Sequence, residues 1–596
     1  MQNKIANQLP ILVWKRSQCN TIATLIILLT LLSACASSGS GVSGGSTDGG
    51  SDESIASERE EDAPSAEDLD PDLLFHVLAA ERFSADGNYQ DAYGHAYEAA
   101  ILSDNPDLAR QAVGLAMRLD NWAGVTQSAR RWRQLDASSD AAAQLVVLGL
   151  MNQNQVVAAA RELAPQIESA EDRAVAWREA ASLMASAESD ENALATMEEV
   201  ITRVDDADPS RLLESRSLLL WQLGEQDAAL ELALSAANKG GDLEQLVWAA
   251  QLAEAGEELE TALGLYQRAL EVEPDDAQLA LAAAELMREL DRAPEAVSLL
   301  SSAPESTGTL YTLGLYQFES EDLDQAAQSW QRLADFPAPE DPDQHAYLTA
   351  FLAELLGQDG DALRWYRQVE SGGNFDRARL RRAGLLARLD EMGQARELLA
   401  RVRETGSEEL IEQAWLAEAE LLLDAGQPDD CVDLLTEILR QTPSSIWLLY
   451  SRALCAVDAE RLELAEQDLR RIIQIDGDNA MALNALGYTL TDLTPRHSEA
   501  LRLIQRALEL QPDDAATLDS MGWVLYRLGR LDEALPYLQR AHAMDDNPEI
   551  AAHLAEVMFF GGQREEAMAM MDVLLDEHPN EAIVVETRQR LLQALE

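Results

Sequence analysis

Apolar residues recur every three or four positions through most of this 596-residue chain. From residue 71 onward alanine, leucine, glutamate and arginine abound, and the apolar spacing is that of one face of an α-helix. Alternating apolar and polar positions, which are typical of strands, are scarce. Turn sequences such as those at Gly87, Gly224 and Gly529 separate the helical stretches. The pattern predicts an all-α protein made of many short helices.

A second, longer period lies over the helical one, because mostly small residues recur 30 to 36 positions apart. These residues are Ala80, Val113, Val147, Ala181, Ser217, Ala250, Ala284, Gly314, Ala350, Ala383, Ala419, Ala453, Gly487, Gly522 and Ala555. Twelve residues after most of them comes an alanine; Val125 and Cys431 differ in type there, and Ala500 lies one residue late. Antiparallel helices approach closely only where side chains are small, so this period predicts repeated helical hairpins.

The clearest copies of the unit are ALNALGYTLTDLTPRHSEALRLIQRALELQPDD, from Ala482, and TLDSMGWVLYRLGRLDEALPYLQRAHAMDD, from Thr517. Both resemble the tetratricopeptide repeat, a helix–turn–helix unit of about 34 residues. Prolines that are placed to end second helices are Pro274, Pro443, Pro512 and Pro579. The resemblance implies a tetratricopeptide-repeat superhelical solenoid of about 15 helical hairpins over residues 71–580. The segment EAIVVETRQRLLQAL predicts a C-terminal capping helix within residues 581–596.

The start of the chain has a different pattern. An apolar run from Thr21 to Leu32 follows three basic residues. It has the length of a signal-peptide core and is shorter than the about 20 residues that span a bilayer. The following Leu-Ser-Ala-Cys sequence ends at Cys35 and resembles a bacterial lipobox. The resemblance implies a signal peptide at residues 1–34 and acyl chains on Cys35; the alternative is a plain signal anchor with an incidental cysteine.

Two further expectations concern the residues after the lipobox. Ala36, rather than aspartate, follows the cysteine, which by the usual sorting pattern indicates the outer membrane with the body of the protein in the periplasm. Glycine, serine and acidic residues dominate residues 35–70, and almost nothing there is suited to burial. This composition predicts a disordered tether between the lipid and the repeats.

Charge and cysteine content restrict the classes of partner. The chain has 45 Lys+Arg against 106 Asp+Glu, a formal charge of −61. Binding to phosphate groups needs clusters of basic residues, so we expect no nucleic-acid partner. Cys431 and Cys455 are the cysteines of the predicted repeats. An oxidising compartment would permit a disulfide between them, although the sequence favours two buried small residues.

Catalytic motifs are missing from the sequence. The seven histidines are scattered, without an HExxH motif or a His/Cys cluster, and there is no GxxxxGK[ST] loop or GxSxG elbow. Acidic pairs such as Asp513-Asp514 fall in predicted turns, where solvated carboxylates are ordinary. We therefore predict a protein that is not an enzyme and has no metal site and no cofactor.

Candidate binding residues come from the groove of a repeat solenoid, which first helices line at repeat positions 2, 5, 9 and 12. The aromatic residues at those positions are Tyr311, Phe318, Tyr347, Phe351, Trp447, Tyr450, Tyr488, Trp523 and Tyr526. Aromatic side chains on an open surface suit recognition of an extended segment or a helix. The alternative is that they fill gaps between adjacent first helices. Binding is favoured for the set from Trp447 to Tyr526.

A more specific resemblance comes from the stretches NALGYTLTD, LDSMGWVLYRLG and PEIAAHLAEVMFFGGQ within residues 480–563. Together with the lipobox and the acidic tether, they resemble the outer-membrane repeat lipoproteins that partner periplasmic carboxyl-terminal processing proteases. The resemblance implies a non-catalytic adaptor that binds such a protease and presents substrates, notably peptidoglycan hydrolases. Two alternatives stay open: a scaffold for exopolysaccharide export or pilus assembly, and an activator of a peptidoglycan synthase.

Overall fold

The structure is a computed structural model, and it describes residues 70–337 and 339–595. Every regular element in these ranges is an α-helix, and the helices divide between two compact units. The N-terminal unit, described from residue 70 to 374, contains α1 Pro71–Ala85, α2 Tyr89–Leu102, α3 Pro106–Met117, α4 Trp122–Leu135, α5 Asp140–Asn152, α6 Val156–Ser169, α7 Arg173–Ala185, α8 Asp190–Ile201, α9 Pro209–Gln222, α10 Gln226–Lys239, α11 Leu243–Ala255, α12 Leu259–Val272, α13 Ala277–Glu289, α14 Ala293–Ser302, α15 Thr307–Glu319, α16 Leu323–Ala334, α17 Pro342–Leu355 and α18 Asp359–Tyr366.

The C-terminal unit is described from residue 375 to 595. It contains α19 Phe375–Arg388, α20 Met392–Thr405, α21 Glu408–Asp424, α22 Pro428–Leu439, α23 Ile446–Asp458, α24 Leu462–Ile475, α25 Ala480–Leu493, α26 His497–Leu510, α27 Ala515–Arg527, α28 Leu531–Met544, α29 Pro548–Phe560, α30 Arg564–Glu577 and α31 Ala582–Gln593. Odd-numbered helices from α1 to α29 are the first helices of hairpins, and α31 follows the last hairpin. The predicted all-α architecture of about 15 hairpins is confirmed for the described residues.

Local sequence explains where the helices begin. Most first helices follow an Asp, Asn or Ser whose side chain accepts a hydrogen bond from a backbone N–H of the first turn. Asp514, for example, accepts such a bond from Thr517 at 2.8 Å. This cap satisfies a donor that the helix itself leaves unpaired. Most turns between paired helices contain a residue with positive φ, such as Gly87 at 76° or Gly529 at 77°. Glycine adopts this conformation at no steric cost, so the predicted turns are confirmed.

The small residues of the longer period lie where the helices of each unit cross. Every one of the fifteen is buried, and so is the packing residue that follows each of them on the second helix. At Gly487 an added Cβ would lie 2.4 Å from the Ile504 side chain, so the hairpin of α25 and α26 has no space for a larger residue. Ser217 uses its hydroxyl instead, donating to the carbonyl oxygen of Ala229 at 2.7 Å. Close approach of paired helices is thus the physical basis of the period.

The cysteines of the C-terminal unit correct one expectation. Cys431 on α22 and Cys455 on α23 form a disulfide with a Cα–Cα distance of 6.0 Å, and both are fully buried. The sequence favoured two unlinked buried residues. Cys431 lies on second helix α22, which packs against the next first helix, α23. This contact between the two helices brings Cys431 near Cys455. The bond joins two consecutive hairpins covalently.

Several expectations about the ends of the chain fall outside the described residues. These are the signal peptide at 1–34, the lipidated Cys35 and the tether, except for residue 70, which caps α1. Within the described ranges, no helix has both the length and the apolar content needed to span a membrane. At the other end, α31 covers residues 582–593 and packs against α29 and α30.

Candidate protein-binding surface

The first helices of the N-terminal unit bring three of the candidate aromatic residues together. Tyr347 and Phe351 lie one turn apart on α17 with parallel rings at 6.4 Å between centroids, and Tyr311 of α15 approaches Phe351 at 6.5 Å. Tyr347 also contacts the ring of Tyr366, which is buried on α18. All three candidate rings are half-buried. They therefore pack against neighbours along one edge and leave another edge open to a partner.

Phe318, a further aromatic residue of α15, is also half-buried.

The two candidates on α23 differ strongly in exposure. Trp447 is 53% exposed, whereas Tyr450, one turn later, is half-buried against the core of the C-terminal unit. An indole of this size at a first-helix position leaves a large apolar area in contact with water. Trp447 is the candidate whose side chain has most surface to offer a partner.

The remaining candidates lie in an aromatic and charged cluster on α25, α27 and α29. Trp523 is only 5% exposed, because the ring of His553 stacks on it at 4.0 Å between centroids. Tyr526 lies beside Trp523 at 5.1 Å and beside Phe560 at 6.2 Å. The Tyr488 ring lies 6.3 Å from that of His553. The structure places these rings together, and Trp523 lies inside the cluster rather than on its surface.

Hydrogen bonds connect this cluster across successive first helices. The Tyr488 hydroxyl on α25 donates to Glu549 Oε1 on α29 at 2.6 Å, and the Tyr526 hydroxyl on α27 donates to Glu556 Oε1 at 3.0 Å. Arg590 on α31 donates to the other oxygen of Glu556 at 2.8 Å. Burial, followed by the negative charge of the acceptor glutamates, raises the pKa of both tyrosines. Both hydroxyls therefore stay neutral donors at physiological pH.

At the centre of the cluster, His553 and Asp519 form a buried pair. His553 Nδ1 lies 3.0 Å from Asp519 Oδ1, and the two residues are 1% and 3% exposed. Burial by itself lowers the pKa of His553, but Asp519, helped by Glu549 and Glu556, more than offsets this effect and raises it. The pair joins α27 to α29 through a buried contact between imidazole and carboxylate.

The sequence did not single out Asp519, Glu549, His553, Glu556 or Arg590. Their spacing in the sequence could have identified four of them. Asp519 and His553 are separated by 34 residues, the length of one repeat, and so are Glu556 and Arg590. Opposite or complementary polar residues at that separation face each other on adjacent first helices. Within the described ranges, no group of three or more His, Cys, Asp or Glu side chains is arranged to hold a metal ion.

Comparison with known proteins identifies the repeats. Family models described as tetratricopeptide repeat match residues 416–480, 478–547 and 525–591. Residues 416–591 consist of tetratricopeptide repeats. All three matches fall in the C-terminal unit, where the sequence copies of the repeat are clearest. Tetratricopeptide repeats imply a scaffold that binds other proteins.

Curated relatives are similar to part of this chain. The TPR repeat-containing protein PA4667 of Pseudomonas aeruginosa is 42% identical over 205 residues, which are 34% of this chain and 35% of that protein. Tetratricopeptide repeat protein 7B of Mus musculus is 24% identical over 223 residues, 35% of this chain and 26% of that protein. The chain thus spans about a quarter to a third of the length of the relatives it matches.

Solved structures also align with this chain. The thermophilic TPR protein TTC0263 of Thermus thermophilus is 24% identical, covers 31% of this chain and 98% of its own, and has a TM-score of 0.28. A chain of the APC/C hetero-tetramer Cut9-Hcn1 is 16% identical, covers 88% of this chain and 97% of its own, and has a TM-score of 0.32.

Proposed function

We propose that this protein is a non-catalytic scaffold, anchored to the outer membrane by acyl chains on Cys35, that binds a periplasmic carboxyl-terminal processing protease. It presents substrates such as peptidoglycan hydrolases to that protease. The observation that carries the binding role is Trp447, whose indole is 53% exposed on a first helix of the C-terminal unit. The lipobox-like sequence and the stretches within residues 480–563 support the choice of compartment and partner.

The mechanism of such a scaffold is proximity. A protein that holds an enzyme and its substrate on one chain converts their encounter into an intramolecular event, with an effective concentration on the order of millimolar for short flexible connections. The scaffold itself breaks no bond. A lipid anchor confines this enhanced encounter to the membrane face, so that hydrolase turnover stays local.

The test is co-purification from cross-linked, intact cell envelopes. We expect the tagged protein to recover an S41-type serine protease, and Trp447→Ala to reduce that recovery at least about tenfold, because truncating an aromatic anchor at a binding hot spot costs about 2 kcal/mol or more. Val573→Ala, which shortens another exposed apolar side chain on second helix α30, is the matched control and leaves recovery unchanged. Cys35→Ala removes the acceptor of the acyl chains, so we expect the protein to be lost from the outer-membrane fraction.

Other results would contradict the proposal. Recovery of polysaccharide-export or pilus components alone, or of a peptidoglycan synthase without the protease, would replace it with one of the alternative scaffold functions. Equal recovery by the Trp447→Ala and Val573→Ala variants would remove the assigned contact.

A further inference from the structure

A separate cavity opens on the first-helix face of the N-terminal unit. It has a volume of about 340 Å³ and is lined entirely by residues of α7, α9 and α11. Leu218, Leu243, Val247 and Trp248 supply its apolar wall, and each is only half-buried. Cavities of this size and apolar character lie at the small end of the range that binds ligands. None of these residues belongs to the aromatic candidates described above.

Two contacts hold Trp248, the tryptophan of this cavity, in a fixed orientation. Its Nε1 donates to the Ser217 hydroxyl at 3.0 Å, and that hydroxyl donates in turn to the carbonyl oxygen of Ala229. The Trp221 ring packs edge-on against Trp248 at 6.5 Å between centroids. With its polar atom satisfied inside the protein, Trp248 presents its apolar face to the cavity. A wall fixed in this way loses little entropy when a ligand binds.

Acidic groups outnumber basic ones at the cavity. Arg178 of α7 lies 3.4 Å from Glu214 Oε1 and also pairs with Glu244, so two glutamates share one guanidinium. Asp242, at the start of α11, adds a third carboxylate near Glu214. Burial, and then the negative charge of Asp242 and Glu244, raises the pKa of Glu214, while Arg178 acts in the opposite sense. Because several carboxylates surround one guanidinium, the local negative charge is only partly compensated.

We infer that this cavity is a docking site for a protein segment that presents an aliphatic side chain beside a lysine or arginine. The aliphatic group contacts Trp248, Leu218 and Val247, and the cation completes the compensation of Glu214 and Glu244. Charge complementarity selects this occupant over an acidic segment, which the same carboxylates repel. The inference rests on the proposed scaffold function and adds a second site, on the N-terminal unit, with its own specificity.

The test uses a capped synthetic peptide, acetyl-Gly-Ser-Arg-Leu-Arg-Ser-Gly-amide, in which the leucine is replaced by photo-leucine. Titration against the full mature chain, followed by irradiation and mass spectrometry, gives an apparent Kd and the cross-linked residues. We expect cross-links to α9 and α11. Replacing photo-leucine in a competitor peptide by serine weakens competition about tenfold, because aliphatic burial is lost.

The charge requirement is tested on both partners. A competitor with both arginines changed to glutamate competes at least about fivefold more weakly, since attraction becomes repulsion. Glu244→Gln, on an exposed side chain, weakens binding of the arginine peptide about threefold. Glu271→Gln, at an exposed position on second helix α12, is the matched control and leaves binding unchanged.

Two outcomes overturn this inference: cross-links that do not map to α9 or α11, and equal competition by the arginine and glutamate peptides. Because the competitor changes leave the protein untouched, a folding defect of Glu244→Gln does not affect this conclusion. If the scaffold recovers the protease while the peptide does not bind the cavity, the docking site fails and the proposed function stands. If the peptide binds and no protease is recovered, the docking site stands and the proposed partner fails.

Discussion

The two units bury polar groups in different ways. In the described part of the N-terminal unit, buried polar residues are mostly hydroxyl and amide side chains: Ser329 donates to Gln317 at 2.6 Å, and Gln245 donates to Ser210 at 3.0 Å. In the C-terminal unit, many of the buried polar interactions are instead made by acidic residues. These are Glu418, Asp468, Asp519 and Glu556, each paired with an arginine or a histidine.

This difference bears on what fixes the position of each hairpin. A neutral hydrogen bond contributes about 0.5–1.5 kcal/mol and tolerates the loss of one partner moderately well. A buried ion pair adds little net stability when complete, but loss of one partner leaves a charge without compensation. We therefore expect the C-terminal unit to be the more sensitive to single substitutions, although its repeats are closer to the family pattern.

The largest expected effect is at Arg452. Its guanidinium makes two hydrogen bonds of 2.7 Å to the Asp468 carboxylate, which is 2% exposed. Arg452→Met leaves that carboxylate buried and unpaired, so we expect the free energy of local opening of α23 and α24 to fall by about 3–5 kcal/mol. Hydrogen–deuterium exchange of peptides from these helices, measured by mass spectrometry, reports this free energy.

Three further variants test the same distinction between the units. Arg440→Met breaks only an exposed pair with Glu437 and costs less than about 1 kcal/mol. Arg452→Met combined with Asp468→Leu recovers most of the loss, because no charge is then left buried. In the N-terminal unit, Ser329→Ala removes the donor to Gln317 and costs about 1–3 kcal/mol. Equal losses for Arg452→Met and Ser329→Ala would contradict the distinction between the units.

The sequence predicted the fold further than it predicted the surface. The period of small residues identified every hairpin, because close helix crossings restrict one position in each helix regardless of what surrounds it. The same restriction does not apply at groove positions, where the side chain of Trp447 is exposed and that of Trp523 is covered by His553. That distinction depends on a side chain in the following repeat. Residue type at one position therefore predicts the helix face and leaves the exposure undetermined.

The helix crossings themselves give a smaller expected effect. In the C-terminal unit, a Cβ added at Gly522 would lie 2.5 Å from Leu538 Cγ and 3.1 Å from the Ala534 carbonyl oxygen, neither of which moves freely. In the N-terminal unit, a Cβ at Gly314 would meet a terminal methyl group of Leu352, which can rotate away. We expect Gly522→Ala to lower the free energy of unfolding by about 1–3 kcal/mol and Gly314→Ala to lower it by less.

Local exchange and the urea midpoint of each variant measure these costs. The control is Gly384→Ala, in open space on α19, which is neutral or stabilises by up to about 1 kcal/mol because alanine is the better helix former. A larger loss at Gly314 than at Gly522 would show that the backbone at these crossings yields more readily than the side chains.

The smallest expected effects concern two buried histidines with opposite pH dependence. Burial lowers the pKa of His345 in the N-terminal unit, whose Nδ1 lies 2.9 Å from the Thr307 hydroxyl. The folded state therefore resists protonation, and stability falls as pH drops below the unfolded value of about 6.5. For His553 in the C-terminal unit, burial is outweighed by Asp519, and the folded pKa is raised. Its contribution is complete below about 6.5 and disappears as pH rises through the folded pKa.

The measurement is the difference in opening free energy between the wild type and a glutamine variant at each pH from about 5 to about 9, so that intrinsic exchange rates cancel. For His553→Gln the difference shrinks as pH rises, and for His345→Gln it grows as pH rises to about 7. Parallel trends in the two units would mean that Asp519 does not hold the proton on His553. In that case the charged pairing that distinguishes the C-terminal unit would not extend to α27 and α29, and the interaction would be one neutral hydrogen bond, as in the N-terminal unit.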